Sequence, residues 1–391
     1  MLQKLLVVIG MILIVGGAYL CSSNKKSIKW KSVGLAFLGQ IALAFLFIKT
    51  PLWKVVEWTS NGVSWLLGQS QEGINFVFGG LSDNYVFFLN SLLPIVFISA
   101  LVGIMFHFGI LQKFIAIVGK VVAKVLKVDT LVAVNGIANM FLGQTDSLFL
   151  TKSYLPKAKD SVIFATLVGG MTSISVSVVG LYASYGASME WIIASMPLTV
   201  FSTFVLTQIL MPTEYENVEN IEVTIEDKGV NVIETMMNYA TTGFKSVIGI
   251  VVALMVFLSM VGMINNLIGL INPSLTLESI IAIPFMPIAY LMGVSSEEVR
   301  IVSEILATKL ITNEAVAFGL PQFNALSINA KAMMTTVLCG FAGIGSIGIL
   351  IGGYTAIAPN KVQVVARLGA KALIVATFVN ILTGMAVSLF L

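Results

Sequence analysis

Charged side chains are scarce in this chain: they make up only 10% of the 391 residues, whereas 57% are hydrophobic. Soluble domains average about 25% charged residues, so the composition excludes an ordinary soluble protein. It indicates an integral membrane protein whose surroundings are largely lipid. The net charge is only +3, and an acidic run lies between Glu214 and Asp227. Both features argue against nucleic acid as a partner.

Residues that commonly build metal and catalytic sites are also few. The two cysteines, Cys21 and Cys339, fall in or beside apolar segments, which is typical of small packing residues and not of a disulfide or a metal pair. The single histidine, His107, has no partner at metal-ligand spacing and is interpreted as a helix-end residue. The sequence shows no nucleophile with a neighbouring base and no metal cluster, so it does not predict an enzyme.

Long apolar runs fill most of the chain. A run of about 20 apolar residues can span the hydrocarbon core as a helix, and the first run is too long for the core of a signal peptide. Lys25 and Lys26 follow that run directly, so the positive-inside rule places the loop in the cytoplasm and the N-terminus outside. Eight crossings then place the C-terminus outside as well. The expected spans are 2–20, 33–48, 86–108, 161–182, 191–211, 244–271, 332–353 and 368–391.

Two further segments are less hydrophobic than the spans. Trp53–Phe78 carries Trp58 and Trp65, and interfacial indoles are a common membrane anchor. We interpret it as an outer amphipathic helix. Residues 111–128 space four lysines among apolar residues, which predicts a basic amphipathic helix in the cytoplasmic interface.

Residues 130–154 form an apolar segment that a polar motif interrupts. Gly143, Gln144, Thr145 and Asp146 lie at its middle, and lysines flank it on both sides. Equal positive flanks indicate that both ends are cytoplasmic, so the segment is expected to enter the membrane and return as a re-entrant hairpin. An acid at membrane depth is by default a candidate functional residue.

The second half of the chain repeats the first at an offset of 166 to 171 residues. Asp146 aligns with Glu314, and Ser175 aligns with Ser346. An odd number of crossings separates the copies, so the second hairpin, 297–320, is expected to enter from outside. Inverted repeats with sites on discontinuous helices are typical of secondary transporters.

Both repeats also carry a span rich in glycine and serine, at 169–177 and 340–348. Such a run fits either a broken helix or close packing through small residues. The expected fold is therefore an all-α polytopic membrane protein of about eight transmembrane helices plus two re-entrant hairpins in inverted repeats. Its expected parts are 1–109 (scaffold and outer helix), 110–212 (first transport repeat), 213–275 (acidic loop and long scaffold helix) and 276–391 (second transport repeat).

The polar residues of the hairpins indicate the kind of solute. Ends of half-helices leave backbone groups without intrahelical partners, and these can bind an ion or a solute. Gln144, Asp146 and Glu314 suit a neutral solute with several N–H and O–H groups and disfavour an anion. Asn139, Ser173 and neighbouring carbonyl groups form an oxygen-rich set without a carboxylate, which could hold a monovalent cation. Lys309 is expected to form a structural ion pair with one of the acids.

Three motifs resemble the concentrative nucleoside transporters, and the resemblance extends over essentially the whole chain. Gly143-Gln144-Thr145-Asp146 is similar to the family's Gly-Gln-Thr/Ser-Glu. The stretch from Lys309 through Asn313-Glu314 to Phe318 is similar to Lys-x-x-x-Asn-Glu-Phe-Val-Ala-aromatic, and the stretch from Gly340 to Gly348 to Gly-Phe-Ala-Asn-x-x-Ser-Ile-Gly.

The resemblance implies a homotrimer in the cytoplasmic membrane, in contact with lipid, that imports nucleosides with Na⁺ or H⁺ by alternating access. No other cofactor is implied. Because proton-coupled members tend to lack the family's asparagine, Asn139 favours Na⁺, while H⁺ coupling through Asp146 or Glu314 stays open. The implied solute contacts are Gln144, Thr145, Asp146 and Val178 for the base and Glu314, Phe341 and Ser346 for the ribose. The implied Na⁺ ligands are the side chains of Asn139 and Ser173 and the carbonyls of Leu142 and Ile174.

Three residues depart from the family's pattern. Asp146 replaces a glutamate, Gly343 replaces an asparagine that contacts ribose, and Ala315 replaces a phenylalanine. Loss of a hydrogen bond to a buried partner costs about 1–3 kcal/mol, which is enough to change specificity. A modified nucleoside, a deoxynucleoside or another polar solute therefore stays open, as does a water in the space at Gly343. A passive channel is disfavoured by the inverted hairpins.

Overall fold

The computed structural model describes residues 2–82, 84–214 and 229–391, and all regular secondary structure in these ranges is helical. The acidic loop expected near 212–232 falls mostly within 215–228, outside the described residues. The helices of the first half are α1 (Leu2–Leu20), α2 (Trp30–Lys49), α3 (Trp53–Phe78), α4 (Pro94–His107), α5 (Ile110–Leu126), α6 (Thr130–Leu142), α7 (Asp146–Phe149), α8 (Asp160–Thr172), α9 (Val179–Ser184) and α10 (Met189–Leu210). Those of the second half are α11 (Val232–Gly269), α12 (Leu277–Ala282), α13 (Met286–Leu291), α14 (Val299–Ile311), α15 (Glu314–Gly319), α16 (Pro321–Asn324), α17 (Ile328–Leu338), α18 (Ile344–Ile357) and α19 (Val362–Ser388).

Side-chain caps fix where several of these helices begin. Asp129 accepts hydrogen bonds from the first backbone N–H groups of α6, at 2.9 and 3.2 Å. Asn231 does the same for α11, and Thr276 forms a capping box with Ser279 at α12. Each cap supplies an acceptor to an N–H group that has no partner inside its own helix.

Seven helical segments of the described residues are long and apolar enough to cross a membrane, one fewer than expected. The seventh expected span, 332–353, is two shorter helices, α17 and α18. The physical reason lies at Gly340, where an added Cβ would approach Thr172 O to 2.5 Å and Asn380 to 2.6 Å. The chain is thus unwound where a neighbouring backbone comes close.

Both glycine-rich spans contain a helix break. Of the two structures expected for these runs, a broken helix or close packing through small residues, the broken helix is observed. α8 ends at Thr172, residues 173–175 are not helical, and a short 3-10 turn at Val176–Val178 leads into α9. Each hairpin segment is also interrupted. Gly143, which has a positive φ, lies between α6 and α7, and Thr312 and Asn313 lie between α14 and α15. That each hairpin enters and leaves on one side stays a prediction.

The helices differ in how deeply they are buried. The Asp160–Ser184 span has 89% of its apolar window buried and α10 has 83%, whereas α11 has 11% and α1 has 22%. α19 packs against α8, and α11 packs along α4. The broken helices and the hairpins therefore form the interior, and α1, α2 and α11 lie around it with large apolar surfaces exposed.

Candidate functional site

A cavity of about 640 Å³ lies between the two hairpin tips and the two broken helices. The structure brings all seven predicted solute residues to its wall. They are Gln144, Thr145, Asp146, Val178, Glu314, Phe341 and Ser346. Residues of α11, among them Ser246 and Phe257, close the opposite side.

The tip of the first hairpin presents an acceptor that lacks a partner. Gln144 is 8% exposed, and its Oε1 accepts no hydrogen bond from the part of the chain that the structure describes. Because an unsatisfied buried acceptor costs about 1–3 kcal/mol, this atom needs a donor. The residue also lines the cavity, although this oxygen itself is enclosed by protein.

The second hairpin holds its acid in a fixed orientation. Tyr182 is fully buried and donates its hydroxyl to Glu314 Oε1 at 2.9 Å. The Tyr182 ring stacks on Phe318 with centroids 4.8 Å apart. One carboxylate oxygen is therefore engaged by the protein, and the residue lines the cavity.

The sequence does not single out Tyr182 as a site residue. A signal that could have found it is its position at the end of an apolar span, because buried tyrosine hydroxyls usually have a hydrogen-bond partner. Ser346, which was expected to contact ribose, donates its hydroxyl to the Phe341 carbonyl. Its oxygen keeps lone pairs that can accept a bond from a solute.

Gly343 lies directly against the backbone of the second hairpin. A Cβ at this position would be 3.0 Å from Thr312 O and 3.2 Å from Lys309 O, closer than carbon normally approaches oxygen. A side chain at this position would therefore crowd the backbone of the second hairpin, although Gly343 also lines the cavity. The carbonyl oxygens of Thr312 and Lys309 thus lie beside Gly343.

The expected cation ligands lie where α6 ends and α8 breaks. Asn139 and Ser173 are buried, and Ser147 donates its hydroxyl to Asn139 Oδ1 at 2.5 Å. Within the described chain, the carbonyl oxygens of Leu142 and Ile174 receive no hydrogen bond. An oxygen-only donor set at the end of a half-helix is of the kind that suits Na⁺.

Lys309 differs from its expected role. It is 3% exposed, and its ammonium group donates to Val337 O at 2.6 Å and to Asn380 Oδ1 at 3.0 Å, neither of which is an acid. Asn380 in turn donates to Thr172 O at 2.8 Å. The lysine therefore joins the second hairpin to the ends of both broken helices through neutral partners, and neither of these contacts is the expected ion pair.

Comparison with known proteins finds relatives over nearly the whole chain. Three family profiles match: "Na+ dependent nucleoside transporter N-terminus" at 9–81, "Nucleoside recognition" at 88–189 and "Na+ dependent nucleoside transporter C-terminus" at 191–388. The nucleoside permease NupC of Helicobacter pylori is 30% identical over 100% of this chain and 98% of its own.

Solved structures of the transporter CNTnw have the same fold. Its inward-facing, substrate-bound form matches with a TM-score of 0.93 and 30% identity over 99% of this chain and 98% of its own. An outward-facing double variant matches with a TM-score of 0.94 and 29% identity over 100% and 99%. The relatives are transporters and not enzymes. The chain therefore belongs to the concentrative, Na⁺-dependent nucleoside transporter family.

Proposed function

We propose that the chain is a Na⁺-coupled symporter that imports nucleosides across the cytoplasmic membrane by alternating access. The observation that carries the proposal is a cavity to which both hairpins bring polar residues, among them Gln144, Asp146 and Glu314. Two carboxylates and an amide suit a solute that is rich in N–H and O–H groups. A homotrimer with both termini outside belongs to the same proposal.

In this mechanism Gln144, Thr145 and Asp146 hold the base, and Val178 packs against it. Glu314, oriented by Tyr182, accepts from the ribose hydroxyls. Na⁺ binds the oxygens of Asn139, Leu142, Ser173 and Ile174. Because these belong to α6 and to the break after α8, the ion ties the first hairpin to the broken helix and prepares the cavity for the solute.

The ion also supplies the driving force. One charge that moves inward gains about 2.3 kcal/mol per 100 mV of membrane potential. At tenfold per 1.4 kcal/mol, this gain supports about fortyfold accumulation of the solute in the ideal limit. The Na⁺ concentration gradient adds to it.

The test is uptake of labelled uridine into vesicles that contain the purified protein, at fixed pH, with and without an inward Na⁺ gradient. We expect saturable uptake that the Na⁺ gradient stimulates. Stimulation by a pH gradient alone would instead favour the second candidate, H⁺ coupling through Asp146 or Glu314, which both line the cavity. Uptake that does not saturate would contradict carrier transport of either kind.

The substrate class is tested in the same vesicles. A panel of unlabelled purine, pyrimidine, deoxy and modified nucleosides competes with uridine. The second hairpin lies directly against Gly343, the position expected to face the ribose. We therefore expect competitors that lack ribose hydroxyls to inhibit uridine uptake to a different extent from those that keep them. Absence of competition by any nucleoside would remove the proposed substrate class.

A further inference from the structure

Asn135 lies one helical turn before the expected cation ligand Asn139 on α6. It is 1% exposed, and Asn139 donates its Nδ2 to Asn135 Oδ1 at 3.3 Å. An amide whose N–H₂ group is held in this way must direct its own carbonyl oxygen elsewhere. In the structure Asn139 Oδ1 indeed accepts from Ser147 on the far side of the hairpin tip. The pair therefore determines which atom of Asn139 is available to an ion.

The remaining donor of Asn135 has no partner within the described chain. Asn135 Nδ2 is buried and unsatisfied, and Asn135 lines a small cavity of about 10 Å³. That is close to the room that one buried water molecule needs. Ser173 of the expected cation site and the hydroxyl-bearing Thr172 and Thr203 line the same cavity.

The hydroxyl groups around this cavity are already arranged. Thr172 and Thr203 share a hydrogen bond of 2.9 Å, and Ser173 donates to Gly169 O at 3.2 Å. A water molecule needs two to four polar partners to be stably bound. The unpaired amide donor and the Thr172, Thr203 and Ser173 hydroxyl groups belong to residues that line the cavity and can provide such partners.

We propose that Asn135 and one buried water form an outer layer of the Na⁺ site, in which Asn135 positions Asn139 and the water joins α6 to the break after α8. The proposal rests on the proposed Na⁺ coupling. Asn135 is a positioning residue and not an ion ligand. Outer partners of this kind typically change metal affinity by 10–100-fold when they are removed, so the effect should be on the ion and only indirectly on the nucleoside.

The experiment measures the thermal unfolding temperature of the purified protein against NaCl concentration, with choline chloride holding the ionic strength constant. In the Asn135→Ala variant we expect the Na⁺ concentration for half-maximal stabilisation to rise about tenfold. The matched control is Gln208→Ala, since Gln208 is also a 1% exposed amide with an unsatisfied oxygen. It lies at the far end of α10, and its Na⁺ dependence should equal that of the unchanged protein.

Uptake separates positioning from damage to the fold. At saturating Na⁺, Asn135→Ala should recover the maximal uptake rate of the unchanged protein, because only the ion affinity is affected. Asn135→Ser is measured in parallel and serves if the alanine variant does not fold. A Na⁺ dependence equal to that of the unchanged protein, or an equal loss in Gln208→Ala, would overturn the proposal.

The outcomes also separate this proposal from the proposed function. If the unchanged protein shows neither stabilisation nor uptake that depends on Na⁺, the proposed ion coupling fails, and the role of Asn135 fails with it. If Na⁺ acts on the unchanged protein and on the Asn135 variants alike, only the outer layer fails. A high-resolution density map without a water peak near Asn135 Nδ2 would remove the water and leave the amide contact.

Discussion

At the scale of single residues, the site depends on a contact between a phenol and a carboxylate. Tyr182 and Glu314 come from different repeats, and each is almost completely buried. Hydrogen bonds to charged groups contribute about 1.5–3 kcal/mol. The hydroxyl group of Tyr182 therefore stabilises the orientation in which Glu314 accepts from the solute.

We expect the Tyr182→Phe variant to raise the KM for uridine uptake about tenfold or more, because 1.4 kcal/mol corresponds to a factor of ten. The matched control is Tyr354→Phe. Tyr354 is also fully buried, and its hydroxyl shares a 2.6 Å hydrogen bond with Thr166 on α8. The control should keep the KM of the unchanged protein; an equal rise in both variants would show that the effect is general loss of packing.

The close contact at Gly343 gives a second residue-scale prediction. In Gly343→Ala, the new methyl group would meet the Thr312 and Lys309 carbonyls at 3.0 and 3.2 Å. Overpacking of this kind costs about 1–3 kcal/mol, so the second hairpin should close less well and the uptake rate should fall about tenfold. Gly352→Ala, in the helix α18 that follows Gly343, meets nothing within 4 Å and serves as control. Full uptake in Gly343→Ala would show that the hairpin moves aside without cost.

Much of the site can be derived from the sequence, because polar residues at membrane depth are conspicuous. Gln144, Asp146 and Glu314 stand out in apolar runs, and the structure brings them to one cavity. The contact of Tyr182 with Glu314 could not be predicted, since only the folded chain places these two residues side by side. The hydrogen-bond partners of Lys309 could not be predicted for the same reason: its charge suggested an acid, but the folded chain offers it a carbonyl and an amide.

At the scale of structural elements, the polar contacts of Lys309 connect parts that lie far apart in sequence. The ammonium group and Asn380 link α14, α17, α19 and the end of α8. The carbonyl groups at helix C-termini carry a partial negative charge. A lysine at this point therefore offsets the charge of half-helices that end inside the protein.

We expect Lys309→Met to destabilise the protein by about 3 kcal/mol, because it leaves the Val337 carbonyl and Asn380 buried without their donor. The control is Lys331→Met: Lys331 also donates to an asparagine, Asn324, at 2.7 Å, but this pair is exposed. That variant should change the stability by less than about 1 kcal/mol. Thermal unfolding in detergent measures both, and equal effects would contradict a structural role for the buried pair.

The base of the second hairpin gives a prediction about pH. Partial burial of the Glu298 carboxylate opposes its ionisation, but hydrogen bonds from Ser327 and Ser295 outweigh burial and lower its pKa. The Ser327 N–H lies 2.7 Å from Glu298 Oε1 and the Ser295 hydroxyl 2.9 Å from Oε2. The ionised carboxylate thus ties the start of α14 to the start of α17.

A folded-state pKa below the unfolded value of about 4.3 means that this stabilisation is complete above that pH. It is lost as the pH falls through the folded pKa. Glu298→Gln should therefore lower the unfolding free energy by about 1 kcal/mol at pH 7, and the difference from the unchanged protein should shrink below about pH 4. Glu297→Gln, at the exposed neighbouring position, is the control. A difference that does not depend on pH would show that the carboxylate charge is not involved.

The elements themselves could be predicted wherever the apolar pattern is regular. The expected bounds of Leu2–Leu20 and Trp53–Phe78 are those observed. α11 begins twelve residues before the expected 244, because its first turns carry Glu234 and Asn238 and are stabilised by packing on α4 rather than by lipid. Hydrophobicity alone cannot reveal such an extension, and it also cannot distinguish a continuous span from α17 and α18.

At the scale of the whole molecule, the inverted arrangement of the repeats makes a prediction about sidedness. Lys157 follows the first hairpin and Gln322 follows the second, and both are exposed. Cysteines placed at these positions in a Cys21→Ser background should react with a membrane-impermeant reagent from opposite faces, Lys157→Cys from inside and Gln322→Cys from outside. Cys339 is buried and should stay silent. Labelling of both sites from one face would contradict the inverted topology.

The length of α11 has a mechanical consequence. Its 38 residues extend over about 57 Å, nearly twice the roughly 30 Å of a hydrocarbon core. Its contacts with α4 continue into the amino-terminal excess, where Tyr239 stacks on Phe106 and Thr235 bonds to His107. In a thinner or thicker bilayer, the membrane boundary can therefore lie at a different position along α11 while its contacts with α4 stay intact. We expect transport to be insensitive to acyl-chain length for this reason.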